Sequence, residues 1–137
     1  MDCYCCSLKP FIKCCEPFLN FESLPSTAEA LMRSRYSAFC TCNNLYLNET
    51  ISSPAKDKAP DYIEQHNWVN LSILSTTHGQ ATDTTGTVKF EATFEQNGAL
   101  YKMTEHSVFN KLYGRWFYTD SIKDLCCLDS DNCKHNH

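Results

Sequence analysis

Polarity alternates residue by residue over 87–95. Val88, Phe90, Ala92 and Phe94 fall on one side, and Lys89, Glu91, Thr93 and Glu95 on the other. A period of two is that of a strand with one buried face. Asn97-Gly98 follows, a dipeptide that readily supplies the two positive φ angles of a tight hairpin turn. Residues 100–112 then read as the returning strand, and Tyr113-Gly114 as the next turn. A fourth strand starts at Trp116-Phe117-Tyr118, and residues 69–76 supply a strand ahead of the alternating one.

The first half of the chain has a longer period. Ser26-Thr27-Ala28-Glu29 forms a capping box, with Ser26 as N-cap and Glu29 at the third helical position. The helix it opens is predicted to end near residue 42, before Asn43-Asn44. At 100° per residue, Leu31, Met32, Tyr36, Ala38 and Phe39 share one arc with Arg35 near its centre, and Arg33 lies opposite. A second short helix is predicted over 44–51, and a loop leading to a helix over 61–66. Residues 16–25, with Pro17 and Pro25, read as a connector. Helices first and an antiparallel meander after them predict an α+β fold, the helices lying against one face of the sheet.

On the return strand, Tyr101, Met103, Glu105, Ser107 and Phe109 share a parity, and Lys102, Thr104 and His106 take the other. Arg35 and Glu105 are thus both predicted to point inward, where neither charge is tolerable alone. Pairing through two parallel hydrogen bonds is expected, chiefly to fix the register of helix and sheet. Trp68, Trp116 and Tyr118 are expected in the core, with the mouth of a cavity as the competing place. Asp120 shares the parity of Trp116 and Tyr118 and is a candidate polar group inside such a cavity. His106 points outward, and His66 and His78 fall in loops. No Ser/His/Asp, Cys/His or paired-carboxylate set emerges, so catalysis is not predicted.

Length and charge narrow the function classes. A chain of 137 residues suits one domain, and 42% hydrophobic against 20% charged residues suits a real core. A net charge of −4 and a pI near 5.7, without a basic stripe, argue against nucleic-acid binding. No apolar run serves as a signal peptide or a membrane span, so a soluble, cytoplasmic protein is expected.

Ten cysteines change the picture most. In a reducing compartment clustered thiols read as metal ligands rather than disulfides. Cys3-x-Cys5-x8-Cys14-Cys15 can deliver four thiolates to one tetrahedral ion, and Zn2+ suits that donor set. Such a site leaves no open position for water or substrate and is structural. Lys9 and Lys13 in the intervening loop partly offset its negative charge. A second candidate site is Cys126-Cys127-x5-Cys133-x-His135, three thiolates and an imidazole, against which stands the reading of a frayed tail. Cys40 and Cys42 read as small core residues. The predicted organisation is a knuckle over 1–20, an α+β domain over 21–123 and a Cys/His tail over 124–137.

The run Cys3-Tyr4-Cys5-Cys6-Ser7-Leu8-Lys9-Pro10-Phe11-Ile12-Lys13-Cys14-Cys15 resembles the SEC-C zinc motif found at the C-terminus of the translocation motor SecA. The usual form is Cys-Pro-Cys-Gly-Ser-Gly-Lys, an aromatic, and Cys-Cys. Ser7, Lys9, Phe11 and the four ligands match, while Cys6 and Leu8 stand where that form has glycine. Further stretches resemble the bacterial YchJ-like family: Ala30 to Phe39 (Ala-Leu-Met-Arg-Ser-Arg-Tyr-Ser-Ala-Phe), Trp68 with Leu71, Ile73 and Leu74, Gly86 to Ala92, Glu105 to Phe109, and Gly114 to Asp120. Many family members add a second full SEC-C motif at the C-terminus, where this chain has only Cys126, Cys127, Cys133, His135 and His137. The resemblance implies a fold similar to nuclear transport factor 2 (NTF2), a curved sheet wrapped over helices as a cone. It also implies that the knuckle docks on a protein partner, a chaperone such as SecB or the ribosome. The alternative is a small-molecule-binding protein or an enzyme that uses the cone cavity.

Overall fold

A computed structural model describes residues 1–52 and 67–127. The helix expected over 61–66, and Cys133, His135 and His137, lie outside the described residues. The chain opens with a 3-10 turn at Phe11–Lys13, then α1 (Glu16–Leu19), α2 (Ala28–Cys40) and α3 (Asn44–Glu49). Four strands follow: β1 (Asn67–His78), β2 (Thr85–Gln96), β3 (Ala99–Leu112) and β4 (Arg115–Cys127). They lie in the order β1-β2-β3-β4, each antiparallel to its neighbour.

The predicted alternation sets the sheet's inner face. Val88, Phe90, Ala92 and Phe94 of β2 are buried, and so are Glu105, Ser107 and Phe109 of β3. Leu31, Tyr36 and Ala38 of α2 pack against that face in one core. The hairpin turns at Asn97-Gly98, whose φ angles are 55° and 79°, in the left-handed region that the dipeptide favours.

Several boundaries differ from the sequence reading. The N-cap of α2 is Thr27, whose Oγ1 accepts from Ala30 N at 3.0 Å, rather than Ser26. Glu29 therefore sits one position too early for a capping box and pairs with Arg33 Nε at 2.9 Å. Ser26 instead offers its carbonyl to Trp116 Nε1 at 3.1 Å, which fixes the chain leading into α2. The expected connector over 16–25 begins with α1, in whose first turn Pro17 is tolerated because its missing N–H would have no helical partner.

A tight glycine contact ties the sheet to the same end of α2. Gly79 O accepts from Ala28 N at 2.9 Å. A Cβ on Gly86 would fall 2.4 Å from Gly79 Cα, so only glycine fits there.

In β4 one extra residue between the partners of Val108 and Phe109 makes a bulge at Thr119. A bulge reverses the facing of everything beyond it. Tyr118 lies opposite inward Phe109, but Ser121 and Lys123, not Asp120, lie opposite Ser107 and Glu105. Strand β4 continues to Cys127, so the first residues of the expected tail belong to the sheet. Among the described residues, no helix is long and apolar enough to cross a membrane.

Candidate metal centre and the charged inner face

The knuckle is a closed loop. Asp2 bridges to Pro10, Cys3 N donates to Lys9 O at 2.8 Å, and Phe11 N donates to Met1 O at 3.0 Å. The loop can close because Cys6 and Leu8 adopt φ angles of 64° and 69°. These are the two positions where the SEC-C form has glycine, so the backbone keeps the glycine conformation without the glycines.

The fold brings Cys3, Cys5, Cys14 and Cys15 together, their sulfurs all within 4.8 Å of one another. Cys5 Sγ lies 3.6 Å from Cys14 Sγ, which lies 4.0 Å from Cys15 Sγ. A tetrahedral zinc–thiolate site with bonds of about 2.3 Å places its sulfurs roughly 3.8 Å apart. The donor set therefore fits a thiophilic divalent ion in both number and spacing. Cys3, Cys5 and Cys15 are buried and Cys14 is half-buried.

Without a cation the four sulfurs cannot all be anions. Cys5 is held well below the usual thiol range, mainly by the Cys15 thiol donating to it and further by Ser7 and Cys14. Cys15 is pushed up because it is that donor and because it is buried. Burial also raises Cys14. A bound ion would displace the protons that the raised thiols keep.

Groups around the sulfurs orient them. Ser7 Oγ accepts from Lys9 N at 3.2 Å and lies 3.2 Å from Cys14 Sγ, so its hydroxyl proton can face the sulfur. Ser37 Oγ, fully buried on α2, lies 3.6 Å from Cys3 Sγ. Arg33 Nη1 donates to Cys5 O at 2.8 Å while its Nε holds Glu29. Helical periodicity alone sets Arg33 aside as the residue facing away from the core. It faces away from the sheet but toward the knuckle, and it clamps the two together. Ser34 and Ser37, small polar residues inside a helical run, are the signal that a second surface covers α2.

The remaining cysteines are scattered. Cys6 is exposed, with Sγ 3.6 Å from Asn70 Oδ1. Cys40 is half-buried against the core as expected, and burial pushes its thiol up to about 12. Cys42 is exposed, not core, because the chain leaves α2 there with φ 57°. Cys126 and Cys127 pair with Lys102 and Tyr101 at the end of β4, and the other two residues of the second candidate site lie outside the described residues.

Behind the knuckle, Arg35 and Glu105 both point inward and are buried, as their parity requires. The direct pair expected between them does not form. Arg35 Nη1 instead donates to Leu47 O at 3.0 Å and Thr50 Oγ1 at 2.7 Å. These acceptors lie at the C-terminal end of α3, where helix carbonyls lack partners and a guanidinium is a natural cap. Its Cζ sits 4.8 Å from the centre of the Tyr118 ring. Burial draws Arg35 down to about 10, opposed by the nearby Tyr118 and Glu105. The Glu105 carboxylate accepts from Ser107, and its Oε1 lies 3.8 Å from Lys123 Nζ.

The other inward candidates separate. Asp120 is exposed, turned out by the bulge at Thr119, and accepts from Ser121 N at 2.8 Å. Trp116 is buried beside the start of α2, whereas Trp68 meets Tyr36, Phe39 and Phe94 with ring centres 5.8, 6.2 and 5.1 Å away. Those contacts lie about 12–17 Å apart along the helix at 1.5 Å per residue. The two tryptophans therefore do not frame one cavity mouth. Parity counted without the bulge misses Ser121 and Lys123, which take the place assigned to Asp120.

Comparison with known proteins agrees with this architecture. The family described as "YchJ, middle NTF2-like domain" matches residues 27–121. A UPF0225 protein of Actinobacillus succinogenes is 35% identical over 98% of this chain and 94% of its own length. One from Streptomyces coelicolor is 38% identical over 86% of this chain and 92% of its own. The solution structure of a SEC-C motif containing protein from Rhodopseudomonas palustris is similar with a TM-score of 0.79 and 30% identity, covering 89% of this chain and 98% of that one. A crystal structure of a SEC-C motif containing protein from Psychrobacter arcticus shares the fold, with a TM-score of 0.72 and 24% identity over 88% of this chain and 81% of that one. A cysteine cluster able to hold a metal ion, an NTF2-like sheet behind it and relatives matching nearly end to end place the chain in the YchJ-like family.

Proposed function

We propose that the chain is a zinc protein whose closed knuckle, with Cys3, Cys5, Cys14 and Cys15 as ligands, presents a rigid surface to a protein partner. The four clustered sulfurs carry this reading. They fill every position of a tetrahedral ion, so the metal supplies folding energy and not an open catalytic site. The surface that the ion would hold in place is amphipathic. Tyr4, Leu8 and Ile12 are 40%, 82% and 65% exposed beside Lys9 and Lys13. The SEC-C resemblance points to a chaperone or the ribosome as the partner, and a reducing compartment such as the cytoplasm suits free thiols.

The test couples metal to partner. Elemental analysis of protein purified without added metal should give one zinc per chain, and Cys5→Ser with Cys15→Ser should abolish it. Ribosome co-sedimentation and chaperone binding should then weaken at least tenfold for Leu8→Glu/Ile12→Glu, which retains the ligands. Unchanged binding by that variant would refute the docking surface. A second reading, a small molecule held in the cone, is favoured by one observation. The buried Arg35 guanidinium makes both its hydrogen bonds through Nη1.

A further inference from the structure

Among the described residues, the charges on the inner face do not balance: Arg35 of α2 and Lys123 of β4 are two cations, and the carboxylate placed with them is that of Glu105 of β3. Arg35 is 8% exposed, yet its Nε and Nη2 make no hydrogen bond to a described residue. A charged donor edge that no described group occupies is open to an acceptor, and charge-assisted hydrogen bonds are the strong ones. The ring of Tyr118 covers one face of the guanidinium, which leaves the in-plane edge as the place for an acceptor.

The burial of the inner face also has a direction. On β3, Phe109 and Ser107 are each 1% exposed, and Glu105 is 7%. Beyond Glu105 the face opens, with Met103 and Tyr101 half-buried and Leu125, which lies opposite Met103, 58% exposed. The charged cluster thus stands where a closed core gives way to an accessible, largely apolar surface.

We propose that this end of the cone binds a small monocarboxylate with an apolar body, its carboxylate received by Arg35 and Lys123 and its body lying along Tyr101, Met103 and Leu125. This rests on the second reading above and names its ligand class. A planar carboxylate matches the free guanidinium edge with two parallel acceptors, and one negative charge neutralises the excess cation. Glu105, already engaged by Ser107 and Lys123, then disfavours dianions by repulsion.

The experiment is an NMR titration of the full chain with benzoate, hexanoate and the uncharged benzamide. Benzoate or hexanoate should shift the backbone amides of Tyr101, Met103 and Leu125 and the Arg35 Nε–H, with benzamide at least tenfold weaker. Lys123→Gln, at an exposed position that should not disturb folding, should weaken benzoate about threefold, and Arg35→Gln at least tenfold. Benzamide binding there as tightly as benzoate would overturn the carboxylate assignment while leaving a small-molecule site in place. Shifts confined to other surfaces, or no shift with any probe, would remove both the assignment and the reading beneath it.

Discussion

The knuckle and the cone bury side chains by different means. In the cone, Val88, Phe90 and Phe109 are inside because apolar surface leaves water, at about 25 cal/mol per Å2. In the knuckle the buried side chains are Cys3, Cys5 and Cys15, whose sulfurs crowd one another within 4.8 Å. Apolar burial asks nothing of the solution, whereas clustered thiols need a cation. The two regions nonetheless form one core, since the three cysteines pack with Leu31 and Tyr36 of α2. The difference teaches that one side of α2 is held by the hydrophobic effect while the other faces a cysteine cluster able to hold a metal ion, with Arg33 and Ser37 as the links.

Metal removal should break the comparison open. Structural zinc supplies about 10–16 kcal/mol of apparent binding energy in small peptides, far more than a loop of this size gains from burial. Chelation, or Cys5→Ser with Cys15→Ser, is expected to abolish amide-exchange protection of the knuckle while β2 and β3 keep theirs. If the sheet unfolds together with the knuckle, the cone depends on the ion and the distinction is wrong.

Arg35→Ala should act on the cone alone. It removes two hydrogen bonds from a buried charged group, which costs about 3 kcal/mol in urea denaturation. Arg35→Met, which keeps much of the packing without a charge to satisfy, should cost less. Zinc content should stay at one per chain in both. A loss of zinc would mean that α2 transmits damage from one side to the other.

These contrasts also explain how much could be read from residues. The sheet was legible because Val88 to Phe94 alternate without a break and Asn97-Gly98 marks the hairpin. The cysteine cluster was legible because a chelating spacing is local. Contacts between distant elements were not. Nothing local says that Arg33 meets the Cys5 carbonyl, 28 positions back, or that Arg35 prefers the end of α3 to Glu105. Asp120 was misplaced because a bulge adds one residue without changing composition, and parity cannot be counted across it.

Alkaline titration should sharpen the cone's side. Burial raises Tyr46 to about 12, despite the Ser34 hydroxyl 2.6 Å from its own, and it raises Tyr118 as well. A raised native pKa means that the folded state keeps its proton longer than the unfolded one. The stability this gives is present below pH 10 and is lost as pH rises toward 12. The melting temperature should therefore fall over that window, and Tyr46→Phe should flatten the fall while costing about 1 kcal/mol at neutral pH from the lost hydrogen bond. An unchanged slope would show that Tyr46 is not held protonated.

The smallest effect belongs to the knuckle and is a gain. Cys6 and Leu8 hold positive φ angles that a side chain resists by about 1–2 kcal/mol, partly offset by the greater unfolded freedom of glycine. Cys6→Gly and Leu8→Gly should each stabilise the metal-bound knuckle by up to about 1 kcal/mol, seen as slower zinc transfer to a chelator. The cone offers a control within the same chain, because Gly98 and Gly114 already occupy its turns at φ 79° and 78°. Leu8 is 82% exposed, so its replacement removes little packing, but it belongs to the surface proposed for the partner. Leu8→Gly should therefore hold zinc longer and bind the partner less well. If both properties fall together, the leucine is a structural part of the knuckle, and docking is not why it stands where the SEC-C form has glycine.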